Sequence, residues 1–93
     1  MKSQGGAATQ VCSPQFDRRF FALPAATQQK IQSKVDELGR NLRVFPHHRM
    51  QGVDAYRLRV GDYRVIYQID MEKNELFLIA VGNRREIYKK PVN

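Results

Sequence analysis

Arg57, Arg59 and Arg64 flank a Gly61-Asp62 pair in the stretch Tyr-Arg-Leu-Arg-Val-Gly-Asp-Tyr-Arg-Val-Ile-Tyr, residues 56–67. Guanidinium groups are permanently charged and forked, which suits them to phosphates and carboxylates. A glycine-first pair fits a two-residue type II′ hairpin loop. The register then follows: Val60 faces Tyr63, Arg59 faces Arg64, Leu58 faces Val65, Arg57 faces Ile66 and Tyr56 faces Tyr67. Side chains alternate between the faces of a strand. One face carries Tyr56, Leu58, Val60, Tyr63, Val65, Tyr67 and Ile69 and reads as core. The other carries the three arginines. Like charges directly opposite one another destabilise a sheet, and a bound anion would remove that cost. A solvated polar face is the alternative reading of the same hairpin.

Other residues with chemical potential are fewer. The segment Arg-Val-Phe-Pro-His-His-Arg-Met-Gln-Gly-Val-Asp, residues 43–54, reads as a loop because of Pro46 and Gly52. Adjacent histidines lack the spacing for a shared metal, and no Cys, Asp or Glu close by completes a ligand set. No metal or cofactor is therefore expected. A polar loop is one reading of His47, His48 and Arg49; phosphate binding or proton movement is the other, since histidine titrates near neutrality. The lone Cys12 cannot form an internal disulfide, which fits a reducing compartment. No motif supports it as a nucleophile, and a small half-buried strand residue is the reading.

Sixteen Lys and Arg against nine Asp and Glu give a formal charge of +7 and a pI of about 10.0. Such an excess suggests phosphate chemistry, nucleic acid or an acidic partner. It is densest near the end of the chain, where Arg84, Arg85, Lys89 and Lys90 stand against Glu86. No apolar run approaches the roughly 18 residues of a membrane span, and no apolar stretch follows Lys2 as a signal peptide would require. The expectation is a cytoplasmic protein with no membrane contact.

The elements that must hold these residues can be read in order. With 93 residues, 42% of them apolar, the chain has the size and composition of one domain with a modest core. Residues 1–8, with Gly5-Gly6, read as a flexible terminus, 9–90 as the domain and 91–93 as a tail. Thr9 to Ser13 suits a short edge strand ended by Pro14. Pro14 then opens a helix capped by Ser13, with Phe16, Phe20 and Leu23 on one side. Pro24 breaks it. A second helix spans about Ala25 to Leu42, with Ile31, Val35, Leu38 and Leu42 on its apolar face. Gln28, Lys30, Gln32, Lys34 and Asp36 form the polar one. Three strands follow: Ala55 to Val60, Tyr63 to Asp70 and Glu75 to Asn83. Packing the helical hairpin on one face of an antiparallel sheet gives an α+β domain in the order β-α-α-β-β-β, its other face open and basic.

The block 56–67, together with Val-Gly-Asn-Arg-Arg-Glu-Ile-Tyr at 81–88 and His-His-Arg-Met-Gln-Gly at 47–52, closely resembles the RelE/ParE superfamily of toxins from bacterial toxin–antitoxin pairs. The resemblance runs from about Pro14 to Tyr88. It implies the topology derived above, with a small basic concavity. RelE-like members cut mRNA in the ribosomal A site; ParE-like members poison DNA gyrase and generally lack the basic set. Arg57, Arg59, Arg64, Arg84 and Tyr88 fall where RelE-like toxins carry their catalytic residues, which tilts the resemblance toward a ribosome-dependent mRNA endonuclease. His47, His48 and Arg49 in the loop, and Arg85, Lys89 and Lys90 in the terminal basic cluster, are expected as RNA contacts. The resemblance also implies a cognate antitoxin that covers the basic site, and DNA contact only indirectly through that complex. A gyrase inhibitor and an inactive antitoxin-binding relative are the alternatives.

Metal-free RNA cleavage needs such a set. The ribose 2′-OH attacks the adjacent phosphorus, and charge grows on the non-bridging oxygens, where guanidinium groups can hold it. Arg64 and Arg84 are expected to clamp the scissile phosphate, and Arg57 and Arg59 the flanking backbone. Some relatives carry Lys at the Arg57 or Arg59 place and His at Asn83, so the proton-transfer group stays open among Tyr88, His47, His48 and Glu86. A four-residue turn at 71–74 places Asn83 on the arginine face and Arg84 on the core parity. Arg84 then reaches the site only if the strand ends or bulges.

Overall fold

The structure is a computed structural model that describes residues 6–89, with the side chains of Glu86, Tyr88 and Lys89 outside the described set. The elements are β1 (Thr9–Cys12), α1 (Pro14–Phe21), α2 (Ala25–Arg40), β2 (His48–Arg49), β3 (Tyr56–Val60), β4 (Tyr63–Asp70), β5 (Glu75–Asn83) and α3 (Arg84–Lys89). They form an α+β unit in which α1 and α2 pack on a five-stranded sheet of order β1-β5-β4-β3-β2.

Local chemistry sets the helical pair. The Ser13 hydroxyl accepts the Phe16 N–H at 2.9 Å, and Pro14 occupies the first helical turn, where its missing N–H costs nothing. Phe16 and Phe20 are buried with their rings stacked 5.5 Å apart. The second helix stops at Arg40 rather than Leu42. Asn41 caps it, its amide donating to Glu37 O at 2.8 Å. Ile31, Val35 and Leu38 form its buried stripe, and Leu42 stays in the core from beyond the helix end.

The β3–β4 hairpin has the register that the two-residue loop dictates, from Val60↔Tyr63 to Tyr56↔Tyr67. Gly61 takes φ +60, the left-handed region that a type II′ turn asks of its first central residue. Leu58, Val65 and Tyr67 are core, and Tyr56, Val60, Tyr63 and Ile69 pack against it.

Two expectations need correction, and one element was not anticipated. The sheet is mixed: β1 joins it at the β5 edge in parallel, because the two helices that follow β1 carry the chain back across the sheet. The segment 43–54 is not wholly loop: His48 and Arg49 form a two-residue strand antiparallel to β3. The chain after Asn83 begins a helix, with the Asn83 carboxamide oxygen accepting the Arg85 N–H at 3.0 Å.

Candidate functional site

The arginine face of the sheet is a concavity because of what surrounds it. His48 stands directly opposite Arg57, and Arg59 directly opposite Arg64, so all four share one face. On the far side of Arg64 its partner is Gly82, which adds no side chain to that face. His48, Arg57, Arg59, Arg64 and Arg84 line one open hollow of about 500 Å³.

Arg84 arrives there through a change of register. Ile66 pairs with Ala80 but Tyr67 with Leu78, leaving Ile79 as the extra residue of a bulge in β5. Beyond it every β5 side chain changes face. Asn83 therefore opposes Tyr63 on the core side, not the arginine side that an unbroken ladder dictates. Arg84, the next residue, follows the last paired residue of β5, and its N–H donates to Asp62 O at 2.8 Å. Bulge and strand end together bring its side chain to the hollow.

Arg64 is the buried member of the set, 7% exposed. Its Nη1 donates to Gly61 O at 3.1 Å and Tyr63 O at 2.9 Å. The hairpin turn thereby fixes one arm of the guanidinium, and among the described residues Nε and Nη2 have no hydrogen-bond partner. Arg57, Arg59 and Arg84 are exposed. A second hollow of about 510 Å³, lined by Asp62, Asn83, Arg84 and Arg85, adjoins the first through Arg84.

The two histidines part company. His47 Nε2 lies 2.7 Å from Leu42 O, and a carbonyl only accepts, so Nε2 carries the proton. In the neutral ring Nδ1 then accepts the Tyr67 hydroxyl proton at 2.7 Å. With both nitrogens occupied and its ring beside Tyr56 and Tyr67, His47 is a core-side residue and not part of the hollow. Burial, and secondarily Tyr56, push the Tyr67 phenol above the usual tyrosine range, so it stays a donor. Arg49 shares the His47 parity. It pairs with Asp54 at 2.9 Å and lies over the Tyr56 ring at 5.7 Å, away from the hollow.

Burial, and then Asp17, push the Cys12 thiol up, the opposite of an activated thiolate. Among the described residues no group of three or more His, Cys, Asp or Glu could share a metal. The expectations on the side chains of Tyr88, Lys89 and Glu86, and on Lys90, residues 1–5 and the tail 91–93, lie outside the described residues. The sequence made Arg84's place conditional on a strand end or a bulge, but neither the bulge's position at Ile79 nor the pairing of Gly82 with Arg64 was readable from it. The final helix carried a signal: Asn83 with Glu86 three residues later is a helix-start pattern.

Comparison with known proteins places this geometry. The family model for the ParE toxin of type II toxin–antitoxin systems, parDE, matches residues 11–88. A chain of the intact E. coli RelBE toxin–antitoxin complex is 25% identical with a TM-score of 0.70, over 83% of this chain and 96% of that one. The isolated E. coli RelE toxin is 24% identical with a TM-score of 0.72, over 88% and 92%. A chain of the Mycobacterium tuberculosis RelBE2 complex is 23% identical with a TM-score of 0.70, over 91% and 100%. No curated protein matches the chain. Residues 11–88 carry the family pattern on the RelE fold, and the chain belongs to the ParE toxin family of type II toxin–antitoxin systems, within the RelE/ParE superfamily.

Proposed function

We propose that this toxin is a metal-independent endoribonuclease that cuts mRNA on the ribosome. The observation that carries the reading is the meeting of four arginines and His48 on one open hollow. A phosphodiester is the ligand that such a set suits, because each guanidinium can give two parallel hydrogen bonds to phosphate oxygens.

In this reading Arg64, anchored by its turn carbonyls, and Arg84 hold the non-bridging oxygens of the scissile phosphate. The 2′-oxygen attacks phosphorus, the P–O5′ bond breaks, and the products are a 2′,3′-cyclic phosphate and a free 5′-OH. The nucleophile loses one proton and the leaving oxygen gains one. Among the described residues that line the hollow, His48 is the one whose side chain can give or take a proton, since Arg cannot. Tyr88 is the second candidate, from the resemblance alone. Arg57 and Arg59 take the flanking backbone, and the hollow beyond Arg84, with Arg85, takes the next phosphate. A small domain with so few acid–base groups gains from a ribosome that holds the mRNA in place.

A specific observation favours a second reading. The matching family model is that of ParE toxins, and a ParE-like member would inhibit DNA gyrase. In either case the partner is a cognate antitoxin, as the toxin–antitoxin complexes among the structural neighbours suggest. An acidic, apolar-patterned segment suits a +7 domain.

One experiment separates the readings. The chain is expressed from a tight promoter and mRNA 5′ ends are mapped with and without translation. Cuts within translated codons, lost in Arg64→Ala and Arg84→Ala variants that keep their circular dichroism, support the nuclease. Intact mRNA with a DNA-damage response supports the gyrase inhibitor. No growth arrest at all points to an inactive relative.

A further inference from the structure

The residue that aims Arg84 is far from it in sequence. A bulge leaves its extra residue outside the strand ladder, and an unpaired carbonyl in a packed sheet is costly. Here the extra residue is Ile79, and its carbonyl is met by the Ser13 hydroxyl at 2.6 Å. That same oxygen accepts the Phe16 N–H at 2.9 Å as the cap of α1. The proton roles are forced: a carbonyl can only accept and an N–H can only donate, so the one hydroxyl proton goes to Ile79. The Ser13 N–H donates to Leu78 O at 2.9 Å, continuing the β1–β5 ladder up to the bulge. One residue thus joins the start of α1 to the irregularity in β5.

We propose that Ser13 is a positioning residue for Arg84, its hydroxyl holding open the β5 bulge that turns Arg84 onto the arginine face. An unbroken ladder from the turn at 71–74 would place Gly82 opposite Tyr63 and carry Arg84 with the core-facing side chains. The bulged ladder places Asn83 opposite Tyr63. Ser13 touches no ligand in this scheme; it acts through the β5 register. Its consequence for catalysis rests on the nuclease reading above, but its consequence for register does not.

The two roles of the hydroxyl can be separated by substitution. Ser13→Thr keeps acceptor and donor. Ser13→Asp keeps a good helix cap but has no proton to give to Ile79 at neutral pH. Deletion of Ile79 removes the extra residue, so the ladder runs unbroken with Arg84 still on the arginine side. Each protein is checked by circular dichroism, its register is read from Tyr63–Asn83 against Tyr63–Gly82 cross-strand contacts by NMR, and its affinity for inorganic phosphate is titrated.

Ser13→Asp is expected to keep α1, lose the Tyr63–Asn83 contacts and bind phosphate roughly ten-fold more weakly, the share of one charge-assisted contact. Ser13→Thr should match the parent. In the Ile79-deleted chain Ser13→Asp should leave register and phosphate affinity unchanged. The proposal is overturned if Ser13→Asp keeps the parental register and affinity, or if it weakens phosphate equally with and without Ile79. Unfolding of Ser13→Asp in the parent but not in the Ile79-deleted chain supports it; unfolding in both overturns it. Loss of register in Ser13→Asp alongside a parent that cuts no RNA would sink the nuclease reading and leave this one standing.

Discussion

Replacing Arg59 by Gln should make the free protein more stable. Arg59 is exposed, and among the described residues its side chain has no hydrogen-bond or ion-pair partner for the substitution to remove. It removes one charge from a hollow that Arg57, Arg64 and Arg84 also line, with Arg64 directly opposite. Cross-strand and diagonal neighbours on one sheet face stand about 5–8 Å apart at Cβ, and long like-charged side chains splay further, to roughly 9 Å. In a water-like dielectric each such pair repels by about 0.5 kcal/mol, and three neighbours make about 1.4 kcal/mol before screening. With a Debye length of about 30 Å at 0.01 M salt most of that survives, about 1 kcal/mol; near 8 Å at 0.15 M about a third does; near 3 Å at 1 M almost none. For a domain of this size 1 kcal/mol corresponds to about 4–8 °C in Tm. Calorimetric melts of parent and Arg59→Gln at the three salt concentrations should therefore show a gain of about 4–8 °C that halves and then disappears. Added phosphate should stabilise the parent more than the variant. A Tm that falls at low salt, or a gain that persists at 1 M, would refute the idea that these charges are held against their mutual repulsion.

His47→Gln should cost about 1–3 kcal/mol by chemical denaturation, because it disturbs the pairing of the buried Tyr67 hydroxyl and Leu42 carbonyl, and should leave anion binding alone. His48→Gln should leave stability within about 0.5 kcal/mol and weaken sulfate binding to the hollow that His48 lines. Tyr67 is neutral when folded well past the ordinary tyrosine pKa, so its stabilisation is complete below about pH 10 and declines above it as the unfolded phenol ionises. Its share of the decline is about 1.4 kcal/mol per pH unit, and Tyr67→Phe should remove that share from urea-melt stabilities measured between pH 9 and 11. Leu38→Ala, at a position 0% exposed, should lose about 2–5 kcal/mol in the same assay, whereas Phe21→Ala, 70% exposed, should stay within about 0.5 kcal/mol.

The hairpin was readable because its determinants are local. Gly61 sets the turn, the turn sets the register, and period-2 alternation assigns Tyr56, Leu58 and Val65 to one face and the arginines to the other. The helices were readable for the same reason, through Ser13, Pro14, Pro24 and the Ile31-Val35-Leu38 stripe. The parallel seat of β1 was not, because it depends on where two helices deliver the chain rather than on the composition of Thr9–Cys12. His47 and His48 are indistinguishable as letters. A two-residue strand, visible only once it pairs with β3, turns one toward Tyr67 and the other toward Arg57.

By itself the sequence determined the α+β order, the hairpin register and the concentration of guanidinium groups on one face of β3 and β4. Only the tertiary structure decided that Arg84 joins them. The bulge at Ile79 is tied to a hydroxyl 66 residues earlier in the chain, and a hydrogen bond between segments so far apart has no local periodicity to announce it. Strand parity is set by the count of residues between contacts, and one unpaired residue reverses it for every side chain that follows.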